Sequence, residues 1–289
     1  RGLVGSEMCI RDSYTGPGND GWAVVLEVET FDWTISCGSA LEFDDTSGLT
    51  PAIVKIDAEH YLCAYTGPGS DGWAVVLDVN PATWTVSMGT PFEFDAVNGE
   101  APALSKIDDS HYLCAYQGAS NDGWAVVLTV DTGFGTISKE TSFEFDTING
   151  LTPALCKINN THYLCAYTGQ GNDGWAVVLT VNMGSWNISK GTPFEFDAMN
   201  AEGSALVPMA NNSRYLCSYM GPFQFLWATV LVVDTGDWDI SQESTAMLTS
   251  VQALAPDLAQ IDDENHLCAY EDRTNGGWAM ILNIPELRP

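Results

Sequence analysis

HYLCAYTGPGSDGWAVVL, residues 60–77, returns nearly unchanged at 111–128 and 162–179 and in looser form elsewhere in the chain. The tyrosine that ends its first half stands at Tyr14, Tyr65, Tyr116, Tyr167, Tyr219 and Tyr270, giving steps of 51, 51, 51, 52 and 51 residues. So regular a period belongs to one array, in which each unit buries its faces against its neighbours.

Around the quoted stretch, residues 51–101 carry four strand signals bounded by turn residues. PAIVKI ends at Asp57-Ala58-Glu59, and HYLCAY follows. After the loop TGPGSDG comes WAVVLDV, and the last signal runs from Trp84 through TVSMGTPFEFD to the turn at Asn98-Gly99. Side chains two apart share a face of a strand. In the third strand Trp73, Val75, Leu77 and Val79 make a large apolar face, and Ala74 with Val76 a small one. A sheet apolar on both faces must be covered on both, which stacking large face on small face around a ring of blades accomplishes.

Third strands begin at Trp22, Trp73, Trp124, Trp175, Trp227 and Trp278, whereas first and fourth strands number five each. The chain resembles β-propeller repeat proteins: all-β, with six blades of four antiparallel strands expected, the first and last incomplete, in one domain over residues 14–289. Residues 1–13, RGLVGSEMCIRDS, match no other part of the chain and resemble a translated sequencing adapter, so a non-native leader is expected there. The blades lack the Gly-His and Trp-Asp of WD40 repeats and the Gly-Gly of kelch. GSDGW is similar to the Asp-box turn of sialidases, SxDxGxTW, but lacks its serine spacing and threonine.

Hydrophobic residues make up 45% of the 289 and aromatic ones 11%, enough for an extensive core. With 38 Asp and Glu against 10 Lys and Arg, the net charge of -28 repels nucleic acid and anionic membrane at long range. No apolar run reaches the roughly 18 residues of a membrane helix, so no membrane insertion is expected. An extracellular or cell-surface location is the working expectation, and oligomeric state is left open.

Eight cysteines are present, one of them Cys9 in the leader. Cys63, Cys114, Cys165, Cys217 and Cys268 share one slot of the repeat, and stacked sheets about 10 Å apart keep such thiols from bridging. The pairing that a hairpin at Asn160-Thr161 leaves open is Cys156 with Cys165.

The loop between second and third strands carries Asp20, Asp71, Asp122 and Asp173, each followed by Gly and then by Trp22, Trp73, Trp124 or Trp175. The turn after the fourth strand carries Asp44, Asp95, Asp146 and Asp197. In a propeller both open on one rim. An aromatic ring stacks on the C–H face of a sugar while a carboxylate accepts from its hydroxyls, so the Asp and Trp of these Asp-Gly-Trp loops are the candidate ligand contacts. The competing reading is turn chemistry with packing tryptophans. Calcium is a third reading, although no dense DxDxDG run accompanies it. Repeats five and six depart, with Phe225-Leu226 and Gly276-Gly277 in the Asp-Gly slots; Phe223, Phe225 and Leu226 could instead form a contact patch.

His60, His111 and His162 share a slot and read as polar residues at strand starts rather than metal ligands. Trp33, Trp84, Trp186 and Trp238, a series interrupted at Gly135 beside Phe134, read as core. Glu93 and Asp95 imitate a glycosidase pair but recur from blade to blade, where an active site is unique. The expectation is therefore a non-enzymatic, multivalent carbohydrate-binding module without metal or cofactor. The alternatives are a protein-interaction propeller and, third, a propeller glycosidase or lyase.

Overall fold

The computed structural model describes residues 7–28, 34–133, 135–210, 213–274 and 276–283. Trp33, Phe134, the start of the leader and the last six residues lie outside them, as does the side chain of Cys9. Described contacts fall into two compact units, Arg1–Cys114 with Val126–Glu140, and Ala115–Ala125 with Thr141–Pro289.

The chain is an all-β propeller of antiparallel sheets. In repeat two, Leu49–Lys55, His60–Thr66 and Gly72–Asn80 pair in sequence order, and the fourth strand follows in two pieces, Thr85–Met88 and Phe92–Asp95, both on the third strand. Sequence reading expects that fourth strand unbroken. Between the pairs Leu77↔Met88 and Ala74↔Phe92 it carries one residue more than its partner, and the single bond from the Gly89 amide to the Val76 carbonyl bridges the interruption. Such an insertion is a bulge that bends the strand.

The expected six blades are corrected to five sheets. Ile240–Gln260 pairs with Phe225–Val233 through its first part and with Asn265–Asp272 through its last, so repeats five and six share one six-stranded sheet. This stretch has none of the Phe-Glu-Phe-Asp punctuation of the earlier repeats, and the backbone runs on as strand.

Large faces do meet small ones. In the first unit Ala23 and Val25 of repeat one lie against Tyr61, Cys63, Tyr65, Val75 and Leu77 of repeat two. In the second, Leu164, Ala166, Ala176 and Val178 lie against Tyr215, Cys217, Tyr219 and Leu231. Each aromatic or aliphatic side chain so buried contributes on the order of 1.5–3 kcal/mol. The shared-slot cysteines are buried free thiols, and burial pushes Cys63 and Cys217 up to about 12. Cys156 and Cys165 are free as well: Cys156 opposes Leu164, and Leu155 opposes Cys165, so the two sulfurs are offset by one residue and point to opposite faces.

Candidate functional site

The loop between second and third strands is a tight turn of two left-handed residues. Gly69 (φ 78°) and Ser70 (φ 69°) form it in repeat two, closed by the Gly67 amide donating to the Asp71 carbonyl at 2.8 Å. The Ser70 carbonyl accepts from the Gly99 amide at 2.8 Å, tying the loop to the turn that follows the fourth strand. Gly67 is obligatory, because a β-carbon there would stand 2.2 Å from Trp73 Cδ1. The indole is thus pinned by its own loop, half-buried, with its N–H enclosed and without an acceptor among the described residues, as it is at Trp22, Trp124 and Trp175.

Repeat five tests what the aspartate does for this loop. With Phe225-Leu226 in place of Asp-Gly, the turn keeps its form: Phe223 and Gln224 are left-handed (φ 63° and 61°) and the Gly221 amide donates to the Phe225 carbonyl at 2.9 Å. The aspartate side chain is not needed to fold the loop.

The second aspartate series is different. Asp146 Oδ1 accepts from the Ile148 and Asn149 amides at 2.9 and 3.0 Å, and its Oδ2 accepts from the Tyr167 hydroxyl of the next repeat at 2.9 Å. Asp197 repeats this with the Met199 and Asn200 amides and with Tyr219 at 2.9 Å. These carboxylates hold a turn and clamp it to a buried tyrosine. Burial, then the adjacent Asp146, drives the Tyr167 phenol well above its ordinary range.

Side chains of the first series face another partner. Trp22 pairs across the ladder with Glu42, and the Glu42 carboxyl lies beside that of Asp20. Burial first, then the negative charges of Asp20 and Asp45, hold Glu42 above its ordinary 4.5. Asp122 and Glu144 form the same couple in the second unit, where burial and Asp122 raise Glu144 against the opposing pull of Lys190. Among the described residues, Asp71 and Asp173 make no side-chain hydrogen bond or ion pair.

In the first unit Glu42, Asp44 and Asp45 form the acidic lip of a cleft of about 410 Å³, with Trp73, Tyr65 and Pro68 on its other side. An indole and carboxylates therefore meet, but Trp73 meets the acids of the preceding repeat rather than its own Asp71. Sequence reasoning missed Glu42 as a site residue. The signal was present, since glutamate stands two places before the turn aspartate as Glu42, Glu93, Glu144 and Glu195. A second cavity, of about 380 Å³, lies in the second unit against Thr152, Asn172, Glu202 and Ala255, and its one ionisable lining group is Glu202.

The histidine slot is local structure. His60 and His111 each place Nδ1 2.8 Å from the aspartate three residues earlier, and His162 stacks on Trp238 at 3.5 Å. Trp84, Trp186 and Trp238 are half-buried residues of left-handed turns (φ 57°, 56° and 67°) rather than core.

No family model and no curated protein matches the chain. Among solved structures, a Lactobacillus plantarum protein is similar at 12% identity and a TM-score of 0.65, over 97% of this chain and 83% of that one. The periplasmic gluconolactonase of Pseudomonas aeruginosa is similar at 10% identity and 0.53, over 96% of both chains. A putative 6-phosphogluconolactonase of Bacteroides fragilis is similar at 11% and 0.50, over 97% and 95%. At these identities the likeness is one of fold. It corrects the expectation of a non-enzymatic module, because solved proteins with this propeller carry the names of enzymes.

Proposed function

We propose that this propeller is a hydrolase of a carbohydrate-derived substrate, with the lactone of a sugar acid as the favoured class. The observation that carries the reading is the Asp20–Glu42 couple, in which the Glu42 carboxyl, on the lip of the cleft that contains Trp73, is raised by burial and by the neighbouring Asp20. Pairs of acids whose environments push them apart are how a site supplies an acid and a base together. Glycosidic cleavage fits this couple poorly, since glycosidase carboxyls stand about 5–9.5 Å apart to admit a sugar carbon or a water. Lactone opening needs a proton taken from water and one given to the ring oxygen. In the proposed step Asp20 accepts the proton of a water whose oxygen bonds to the lactone carbonyl carbon. The acyl–oxygen bond then breaks, Glu42 protonates the departing alkoxide, and a hydroxy acid leaves. Trp73 stacks on the sugar carbons.

Asp122 with Glu144, beside Trp124, is the second such couple, and Asp71 and Asp173 with Trp22 and Trp175 supply hydroxyl and stacking contacts in the same reading. The named activities of the solved neighbours support a lactone over other esters.

The experiment is acid release from a panel of aldonolactones and aryl glycosides, followed by pH-stat for the full chain and for Glu42→Gln, Asp20→Asn and Glu93→Gln. The proposal expects lactone hydrolysis reduced about 100-fold or more in the first two variants and retained in Glu93→Gln. Saturable sugar binding without turnover of any lactone would assign the cleft to recognition alone.

A further inference from the structure

Repeat five departs from its neighbours at two adjacent places on its first strand, Glu202–Pro208. Repeat four has Leu151-Thr152-Pro153 there and repeat six Leu254-Ala255-Pro256, but repeat five has Glu202-Gly203-Ser204. The backbone is alike in all three. Thr152 (φ 43°), Gly203 (φ 61°) and Ala255 (φ 43°) are left-handed, and each sits in a bulge where the ladder skips from Leu151 to Ala154, from Glu202 to Ala205 and from Leu254 to Asp257. These bulges line the cavity of about 380 Å³ in the second unit, a size that takes small molecules. Gly203 widens it: a β-carbon there would meet Pro256 Cδ at 3.8 Å and Ala255 Cα at 3.9 Å, both ordinary contacts that leave the space open.

The polar groups of the cavity divide into two sets. Thr168 Oγ1 donates to the Ala201 carbonyl at 2.7 Å, and Thr152 Oγ1 accepts from the Gly203 amide at 3.3 Å, so both hydroxyls are held by the fold. Glu202 and Asn172 make no side-chain hydrogen bond or ion pair among the described residues. Leu151 and Met220 supply apolar wall, Met220 directly opposite Glu202 in the ladder. Among the described residues, no cationic and no aromatic side chain lines the cavity. A half-buried carboxylate therefore stands where repeats two, four and six have leucine, with no cation of the chain to meet it.

We infer that this cavity binds a small primary amine, its ammonium on Glu202 and Asn172 and its aliphatic body against Leu151 and Met220. An ammonium brings three N–H donors, which the carboxylate and the amide oxygen accept as charge-assisted bonds. The other ligand classes fit less well. An anion would meet Glu202, a quaternary ammonium calls for an aromatic cage, and calcium calls for more oxygens than one carboxylate and one amide supply. The net charge of -28 adds long-range attraction for a cation. The site shares no residue with the Asp20–Glu42 cleft, and the inference stands apart from the hydrolase reading.

The test is isothermal titration calorimetry of the full chain with n-pentylamine at pH 7, in about 0.5 M sodium chloride to screen diffuse attraction, with 1-pentanol and calcium chloride as counter-probes. One saturable amine site per chain is expected, weakened about tenfold or more in Glu202→Gln, Glu202→Leu and Gly203→Thr and unchanged in Glu42→Gln. The leucine and threonine variants carry the residues that repeat four holds in the same backbone, so the fold accommodates them, and a cooperative melt checks this for each variant. Four results would overturn the inference: no saturable amine binding to a chain that melts cooperatively, binding of 1-pentanol or calcium as tight as that of the amine, binding indifferent to Glu202→Gln, or loss of binding in Glu42→Gln, which would seat the amine in the other cleft.

Discussion

The Asp20–Glu42 couple ties folding to its chemistry at the scale of single residues. A carboxyl raised in the folded state binds its proton more tightly there than in the unfolded chain, so stability falls as pH rises from 4.5 through the folded value. Glu42→Gln removes that loss. It should melt higher than the parent at pH 7 and converge with it below pH 4.5, as scanning calorimetry across pH would record; a lower Tm at pH 7 would contradict the raised carboxyl. Asp146 makes the opposite prediction, because it is consumed by structure. Tyr167→Phe should cost about 1 kcal/mol and Asp146→Ala about 2–3 kcal/mol, since the latter also strands two amides and a buried hydroxyl; urea denaturation would measure both. Both aspartate series were legible in the sequence as Asp at fixed slots. Which one is held by the fold was not, because that depends on Tyr167 and Tyr219 arriving from the next repeat. Glu42 was hidden for the same reason: its partner, Asp20, is 22 residues away and meets it only through strand pairing.

At the level of the element, the glycine of Asp-Gly-Trp belongs to packing. Gly72→Ala drives a β-carbon into the Phe94 ring and faces Gly99, whose own β-carbon would stand 2.3 Å from Gly72 Cα. The expected cost is about 2–4 kcal/mol in chemical denaturation. A neutral substitution would refute the packing account. Repeat five shows the converse solution, in which Leu226, fully buried, stands in the glycine's slot and no Phe-Glu-Phe-Asp segment follows. Strand order, the two apolar faces and the turn residues followed from alternation alone. The interruption of the fourth strand did not, since a single extra residue leaves no periodic trace in a stretch as short as TVSMGTPFEFD.

Over the whole molecule, the repeat fixed the architecture and misjudged the number of sheets. Six landmarks at 51- or 52-residue steps are in the sequence, yet Ile240–Gln260 runs between two of them without a break, and the last two repeats share one sheet. The net charge of -28 acts at this scale too, as self-repulsion. Tm should rise as sodium chloride goes from low concentration to about 0.5 M, where screening shortens the reach of the repulsion to a few ångströms. A Tm that fell with salt would show that attractive pairs, not repulsion, dominate. The central claim, that Asp20 helps to raise the Glu42 carboxyl at the Trp73 cleft, is tested most directly by titrating the side-chain carboxyl carbons by ¹³C NMR in the full chain. The account predicts that Glu42 titrates above 4.5 and moves back towards it in Asp20→Asn. A Glu42 that titrates at its ordinary value, unmoved by that substitution, would contradict it.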